Sequence, residues 1–277
     1  MAISNISLTA GMRSNLLTLQ QTDNLLTRTQ ERLSTGKKVN SALDNAQSFF
    51  AAKGNTNRAS ALDSRKDGMG QAIQVVKSAD AGISAINSLL DQAAGIVATA
   101  KGSQSKTGDD VALKAQYDEI ILQIDDIVSD SGYQGTNLLK GGATDILDVI
   151  FNASGDNKLT LTGVSSDTVE LGIDAATLAF NGATGASLDA ISAGITAAKA
   201  TLEATSTSLS GSLGVINARQ EFTNAMINTL QVGADKLTLA DTNEEGANML
   251  SLQTRQQLGT ISLSLANQSA QAVLSLF

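Results

Sequence analysis

The sequence predicts a mainly α-helical protein: a long antiparallel helical bundle with coiled-coil character, a small β-hairpin insert, and paired N- and C-terminal helices. Three observations predict it. Apolar side chains recur every seven residues at both ends, in Met12, Leu19, Leu26 and Leu33 and again in Leu258, Leu265 and Ala272. Such spacing lays one stripe along a helix, so each end should rest against another helix, with the two stripes facing each other. The chain has no proline, so nothing forces a kink by ring clash and helix breaking is left to glycine. Of its 277 residues 42% are apolar but only 3% aromatic, so small and aliphatic side chains must fill the core.

In chain order, the first stripe defines an N-terminal helix and joint over residues 1–40, broken at Gly36-Lys37-Lys38. Ser41-Ala-Leu-Asp44 resembles a capping box, in which a hydroxyl accepts an early amide and a carboxylate reaches back, so a second helix is expected to begin there. Val76, Ile83, Leu90 and Val97 then repeat every seven residues, with Ala79, Ile86, Ala93 and Ala100 offset by three, a two-sided seam on one long helix. Gly102 to Gly108 is rich in turn residues and reads as a reversal. Leu113, Tyr117, Ile120, Ile124 and Ile127 mark an antiparallel return helix that ends at Ser131-Gly132, which makes residues 41–140 a helical hairpin.

Residues 141–187 form a short β-rich insert in which, between about Asn152 and Gly182, the period shortens to two. Lys158–Thr162 and Thr168–Ile173 alternate apolar with polar side chains across Gly163–Asp167, which predicts a β-hairpin. Helical spacing returns in Leu188, Ile195, Leu202, Leu209 and Ile216, giving a returning helix over 188–235 that Gly194, Gly211 and Gly214 weaken locally. Asp241-Thr-Asn-Glu244 offers a further cap and opens a C-terminal helix within residues 236–277.

Composition narrows the chemistry. Cysteine and histidine are absent, which removes disulfides, thiolate nucleophiles, zinc thiolate sites and the commonest general base, so no cofactor, metal site or catalytic residue is expected. Lys106-Thr-Gly108 runs in the wrong order for a phosphate-binding loop, and Asp125, Asp126 and Asp130 read as a solvated helix face and not as a cation site. Net charge is -8 with no basic cluster longer than Lys37-Lys38, which argues against nucleic acid or an anionic membrane as partner. No stretch approaches the ~20 apolar residues that span a bilayer, and Met1–Ser7 lacks the charged and apolar segments of a cleavable signal.

Three parts of the chain carry a resemblance. Glu31-Arg-Leu-Ser-Thr-Gly-Lys-Lys-Val-Asn-Ser-Ala-Leu-Asp-Asn-Ala46 resembles the signature that follows the first helix of bacterial flagellins. Ser251-Leu-Gln-Thr-Arg-Gln-Gln-Leu-Gly259, Ala266-Asn-Gln268 and Val273–Phe277 resemble their C-terminal signature. Asp80 to about Leu139, with Tyr133-Gln-Gly-Thr-Asn-Leu-Leu139, also matches, so the likeness covers all but the middle third.

The resemblance implies a structural subunit of the extracellular flagellar filament, exported unfolded through the type III channel and polymerised through its terminal helices. Its partners would be copies of itself, cap and hook-associated proteins and an export chaperone. In that scheme Leu16, Leu19, Leu26 and Leu33 with Leu258, Ile261 and Leu265 form the inner-layer seam of the polymer. Val76, Ile83, Leu90, Val97, Ile120, Ile124, Leu202, Leu209 and Ile216 form the rod core. Gly36–Asn40 is the joint between layers, and Arg255 is a candidate to pair with a carboxylate of another subunit. The insert over residues 141–187 is too short for the outer domains of larger family members, as in compact α-proteobacterial flagellins.

Absence of cysteine then avoids crosslinks during export, and absence of proline avoids slow isomerisation after it. One departure stands out. Family members sensed by the flagellin-recognising Toll-like receptor carry two arginines and a glutamate where this chain has Gln92, Ala94 and Gly95, so weak or absent recognition is expected. A hook-filament junction protein would share the terminal signatures but normally has a larger middle. A non-flagellar coiled-coil surface scaffold would explain the heptads but not the signatures. The metallopeptidase insert of some relatives needs histidine, which is absent.

Overall fold

In order the elements are α1 (Ala10–Thr35), α2 (Ala46–Gly102), α3 (Asp109–Asp130), β1 (Ile146–Ile150), β2 (Lys158–Thr162), α4 (Gly185–Thr238) and α5 (Thr242–Leu274). The computed structural model describes residues 10–102, 109–142, 145–174 and 185–274. The expected reversal between Gly102 and Gly108 falls almost wholly outside the described residues, as do the last three positions of the C-terminal signature. The chain divides into two compact units, one spanning Arg58–Asn228 and the other built from the stretches up to Asn57 and from Thr229 onward.

The central unit is a helical bundle closed by a hairpin. Heptad residues Val76, Ile83, Leu90 and Val97 of α2 are buried, together with the alanine-rich row Ala79, Ile86, Ala93 and Ala100. They pack with Tyr117, Ile121, Ile124 and Val128 of α3 and Leu188, Ile195, Leu202, Leu209 and Ile216 of α4. Ile120 is half-buried at the edge of this cluster. At the surface the antiparallel register of α2 and α4 is marked by Lys101–Asp189 at 2.8 Å, the Lys199–Asp91 pair, and the Ser206 hydroxyl donating to Asp80 at 2.7 Å. The glycines of α4 do not interrupt it. Gly194 instead lets the chain at Gly172 approach closely, since a Cβ there would lie 3.3 Å from the Gly172 carbonyl oxygen.

Local chemistry explains how α3 ends and the chain turns. Asn137 Nδ2 donates to the carbonyls of Val128 at 2.7 Å and Ser129 at 3.2 Å, covering acceptors that the helix end leaves free. Tyr133 and Thr136 exchange both backbone bonds across Gln134 and Gly135, whose φ values of 49° and 85° make a tight left-handed turn. Tyr133-Gln-Gly-Thr-Asn-Leu-Leu139 therefore acts as a helix stop and turn. Gly82 receives it: a Cβ there would fall 2.1 Å from Ser131 Oγ.

The hairpin forms with a different partner from the one the alternation suggests. β2 pairs antiparallel with β1, with Val149 opposite Leu159 and Leu147 opposite Leu161. Thr168–Ile173 is a turn and not a strand. The reason is local capping: Asp167 Oδ1 accepts the Glu170 amide at 2.8 Å, the Leu171 amide returns to the Asp167 carbonyl at 3.0 Å, and Gly172 adopts φ +69°. From α3, Asp125 accepts both the amide and the hydroxyl of Thr168 at 2.9 Å, so it is a staple and not a solvated face.

Capping at the start of α2 is likewise shifted. Asp44 Oδ2 does reach back to the amides of Ser41 at 2.9 Å and Asn40 at 3.0 Å, but this closes a turn. The helix begins five residues after Ser41, at Ala46, where Asn45 Oδ1 accepts the Ser48 amide at 3.0 Å. The last helix starts as expected, with Asp241 Oδ1 accepting the amides of Asn243 and Glu244.

Candidate assembly surface

The two terminal helices pair antiparallel. Along their seam Arg32 Nη1 donates to Glu245 at 2.7 Å, Gln256 donates to Asp23 at 3.2 Å, and Asn15 donates to Ser262 at 3.4 Å. At the level between the last two, a Cβ on Gly259 would stand 3.1 Å from Leu19 Cδ1, so α5 offers a notch to a leucine of α1. Facing α5, α1 buries Met12, Thr22, Leu26 and Thr29, with Asn15, Leu19 and Leu33 half-buried. The alternating three and four spacing of these positions is that of a coiled-coil seam.

The C-terminal stripe does not face α1. Glu245 is buried and Met249, Leu252, Gln256, Gly259, Leu263 and Ala266 are half-buried on the inward side of α5, again spaced by threes and fours. Leu258, Ile261 and Leu265 are 61%, 63% and 64% exposed, and Ala272 is exposed too. The inward row is thus displaced by one residue from the one expected. Small Gly259 and Ala266 allow close approach, where leucines at the same level would hold α1 away. Leu16, Leu17 and Leu25 are exposed on α1 and Leu250 on α5, so apolar residues occur on more than one side of both helices. A helix apolar on several sides is normally buried on several sides.

Charge is sparse on the same helices. Residues 1–22 and 256–277 contain a single charged side chain, Arg13. The terminal stretches 1–35 and 242–277 together hold four cations (Arg13, Arg28, Arg32, Arg255) against four anions (Asp23, Glu31, Glu244, Glu245), so the entire net charge of -8 resides between them.

The joint is stitched on both sides. The amides of Lys38 and Val39 donate to the Thr238 carbonyl at 2.7 and 3.2 Å, and the Ala240 amide donates to the Gly36 carbonyl at 3.0 Å. Gly36 has φ +67°, a backbone that other residues adopt at a cost. Val39 is buried, and the two amides donated to Asp44, from Ser41 and Asn40, hold its carboxyl below the ordinary carboxylate range. Gly36–Asn40 is therefore an ordered clasp with the Thr238–Ala240 connector.

Outside the terminal pair, Gln92 and Gly95 are exposed and Ala94 is half-buried on α2. Gln92 and Gly95 line an open apolar groove with Ile96, Leu113 and Ile120. Gln92 donates weakly, at 3.4 Å, to the carbonyl of Ser88, and no charged group stands at these three positions. Tyr117, deep in the central core, donates to the Ile173 carbonyl at 3.1 Å. Burial first, then the carboxylates of Asp118 and Asp174, push its phenol far above the ordinary range. Among the described residues no group of acidic side chains could hold a metal ion, and no helix is long and apolar enough to cross a membrane.

Residues 5–144 match the family model of the bacterial flagellin N-terminal helical region, and residues 193–277 match that of the C-terminal helical region. The chain belongs to the bacterial flagellins. Flagellin FljM of Caulobacter vibrioides is 30% identical over 279 residues, and FljN of the same organism 33% identical over 287, each alignment spanning all of both chains. A Brucella melitensis flagellin is 29% identical over 269 residues, covering 95% of each chain. Both chain and relatives are compact, so the short insert is shared in length with these flagellins. Flagellins are structural proteins, and the chain is a subunit of the extracellular flagellar filament.

Sequence reasoning missed β1, the inward row of α5 and the Asp125 staple. The first was hidden because Val149, Ile150 and Phe151 run together and break the alternation. The second had a signal in Gly259 and Ala266, small residues at heptad spacing, which hydrophobicity alone outranks.

Proposed function

We propose that the chain polymerises by covering the leucines that its own terminal pair leaves outside. The observation that carries this is the exposure of Leu16, Leu258, Ile261 and Leu265 on helices whose distal 44 residues bear one charged side chain. At about 25 cal/mol per Å² of apolar surface removed from water, neighbouring copies supply the burial that a single antiparallel pair lacks. Leu19, Leu26 and Leu33 then belong to the pairing within a copy, and Leu16, Leu258, Ile261 and Leu265 to contacts between copies. By this division of labour, residues 1–40 and 236–277 form the inner layer, residues 41–140 and 188–235 the rod, and residues 141–187 the small insert.

Export in an unfolded state through the type III channel, a chaperone that shields α5 before assembly, and contacts with cap and hook-associated proteins accord with the same exposed surface. Weak recognition by the flagellin-sensing Toll-like receptor accords with the uncharged Gln92, Ala94 and Gly95. The chain acts as a building element with no catalytic role. Replacing Leu265 by Asp is expected to abolish filament growth from short seeds, as seen by negative-stain electron microscopy, while the thermal unfolding of the central unit stays unchanged. Filaments of normal length from this variant would contradict the proposal.

A further inference from the structure

The terminal pair carries a basic cleft in which two of three guanidinium groups form no ion pair among the described residues. Leu25, Arg28, Thr29 and Arg32 of α1 and Glu245, Asn248, Ser251, Leu252 and Arg255 of α5 line a hollow of about 240 Å³. Three guanidinium groups meet one carboxylate there. Glu245 is buried and bonded to Arg32 at 2.7 Å, which leaves Arg28 and Arg255 with no ion pair among the described residues. Asn248 and Ser251 add neutral polar groups to the same wall.

The opposite charges are on the same two helices. Glu31 on α1 and Glu244 on α5 are exposed, and neither carboxylate has a partner among the described residues. Glu31 is three residues from Arg28, yet the two form no ion pair. Each terminal pair is therefore neutral overall, and outside the Arg32–Glu245 pair it holds three cations, Arg13, Arg28 and Arg255, and three anions, Asp23, Glu31 and Glu244, of which Asp23 accepts from Gln256. Glu244 and Arg255 are eleven residues, close to three helical turns, apart, so they share one side of α5 but are displaced along it by ~16 Å. A contact between unlike patches of two identical chains is heterologous, and where its rotation does not close a ring it continues into a helical array.

We propose that the Arg28–Arg255 cleft takes the Glu31 and Glu244 carboxylates of a second copy of this chain, an electrostatic latch that sets the register of the apolar contacts. This rests on the reading that the terminal helices polymerise. Arginine suits the role, because its planar donors bind carboxylates in pairs, and the surrounding leucines reduce screening once copies are together. The latch governs which neighbour is accepted and at what displacement, while leucine burial supplies most of the cohesion.

The test is seeded growth of the full-length chain and three charge variants, with critical concentration read by sedimentation. The variants are R28E/R255E, E31R/E244R, and the fourfold exchange that combines them. Wild type must grow; if it does not, it is the polymerisation reading that fails. Both double variants are expected to raise the critical concentration at least about tenfold, with unchanged helicity and thermal unfolding of the monomer, and the fourfold exchange to return it to near the wild-type level. Growth of R28E/R255E at the wild-type critical concentration would overturn the proposal, as would failure of the fourfold exchange to recover. Inorganic phosphate titrated into the monomer separates a free-anion site from a latch. Saturable phosphate binding that R28E/R255E loses, with filament growth unaffected, would likewise overturn it.

Discussion

The central unit and the terminal pair are both built on seven-residue repeats, yet they differ in what the repeats enclose. In the central unit, heptad rows of α2 and α4 meet α3 and a hairpin, and residues such as Leu90, Ile124, Leu202 and Ile216 are wholly shielded. In the terminal pair each helix has one neighbour. Its seam includes Asn15, Thr22, Thr29, Gln256 and Gly259, while leucines remain on the outer sides. A heptad stripe thus fixes that a helix has a partner, and the residues beside the stripe decide whether one partner is enough. The first region encloses its heptad rows within one chain, and the second leaves Leu16, Leu258, Ile261 and Leu265 exposed.

Paired truncations give the sharpest break in that comparison. Leu90→Ala is expected to cost the monomer about 2–5 kcal/mol in denaturant unfolding, because it opens a cavity in a closed core. Leu258→Ala is expected to change the same measurement by less than about 0.5 kcal/mol, as for a surface position, while impairing filament growth. Similar losses in both variants would mean that the monomer already buries Leu258.

A smaller effect is expected from pH, with one sign for the carboxylates Asp44 and Asp148 and the other for the phenol of Tyr117. Asp44 has a folded pKa below its unfolded one, held down by the Ser41 and Asn40 amides. Its contribution is present above the ordinary carboxylate pKa of about 4 and is lost as pH falls through the lower folded value, loosening the Asn40–Asp44 turn of the joint. Asp148 in the hairpin behaves in the same direction through Lys158 and Thr160. Tyr117 works the other way: its buried phenol has a raised pKa, so above about pH 10 the unfolded chain loses a proton that the folded chain keeps, and the central unit weakens. Nuclear magnetic resonance of the Ser41 amide in acid, and far-UV circular dichroism in alkali, would detect each. A Ser41 amide that stays unperturbed when Asp44 takes up its proton would show that Asp44 does not hold the turn.

Long-period features were legible in the sequence and short-range ones were not. Heptads in α2 and α4 coincide with buried rows because a helix that is buried on a fixed side repeats its demand at every turn, whereas on α3 Ile121 and Val128 are buried where Ile120 and Ile127 were expected. Thr168–Ile173 looked like a strand because Val169, Leu171 and Ile173 alternate, but Asp167, Asp125 and Gly172 make a turn cheaper than an unpaired edge. Ser41 looked like a helix cap, and the true cap, Asn45, lies beyond a turn that the same Asp44 closes. On α5 the leucines drew attention to one side, whereas Gly259 and Ala266 mark the side that meets α1. Apolar character locates surfaces that are buried somewhere; only the small and polar residues between them tell which are buried within the chain. The Arg28–Arg255 cleft was half visible, since Arg255 stands in a recognisable signature but Arg28 reaches it only through the antiparallel pairing of α1 with α5.

Hydrogen exchange, residue by residue, before and after seeded growth tests most directly whether the terminal pair is completed by other copies. In the monomer, amides of α1 and α5 are expected to exchange within the fast range of local opening, while those of α2, α3 and α4 in the central unit exchange only near the global unfolding limit. After growth, α1 and α5 should become as protected as the central unit. Equal, strong protection of both regions already in the monomer would contradict the account, because the terminal helices would then need no neighbour.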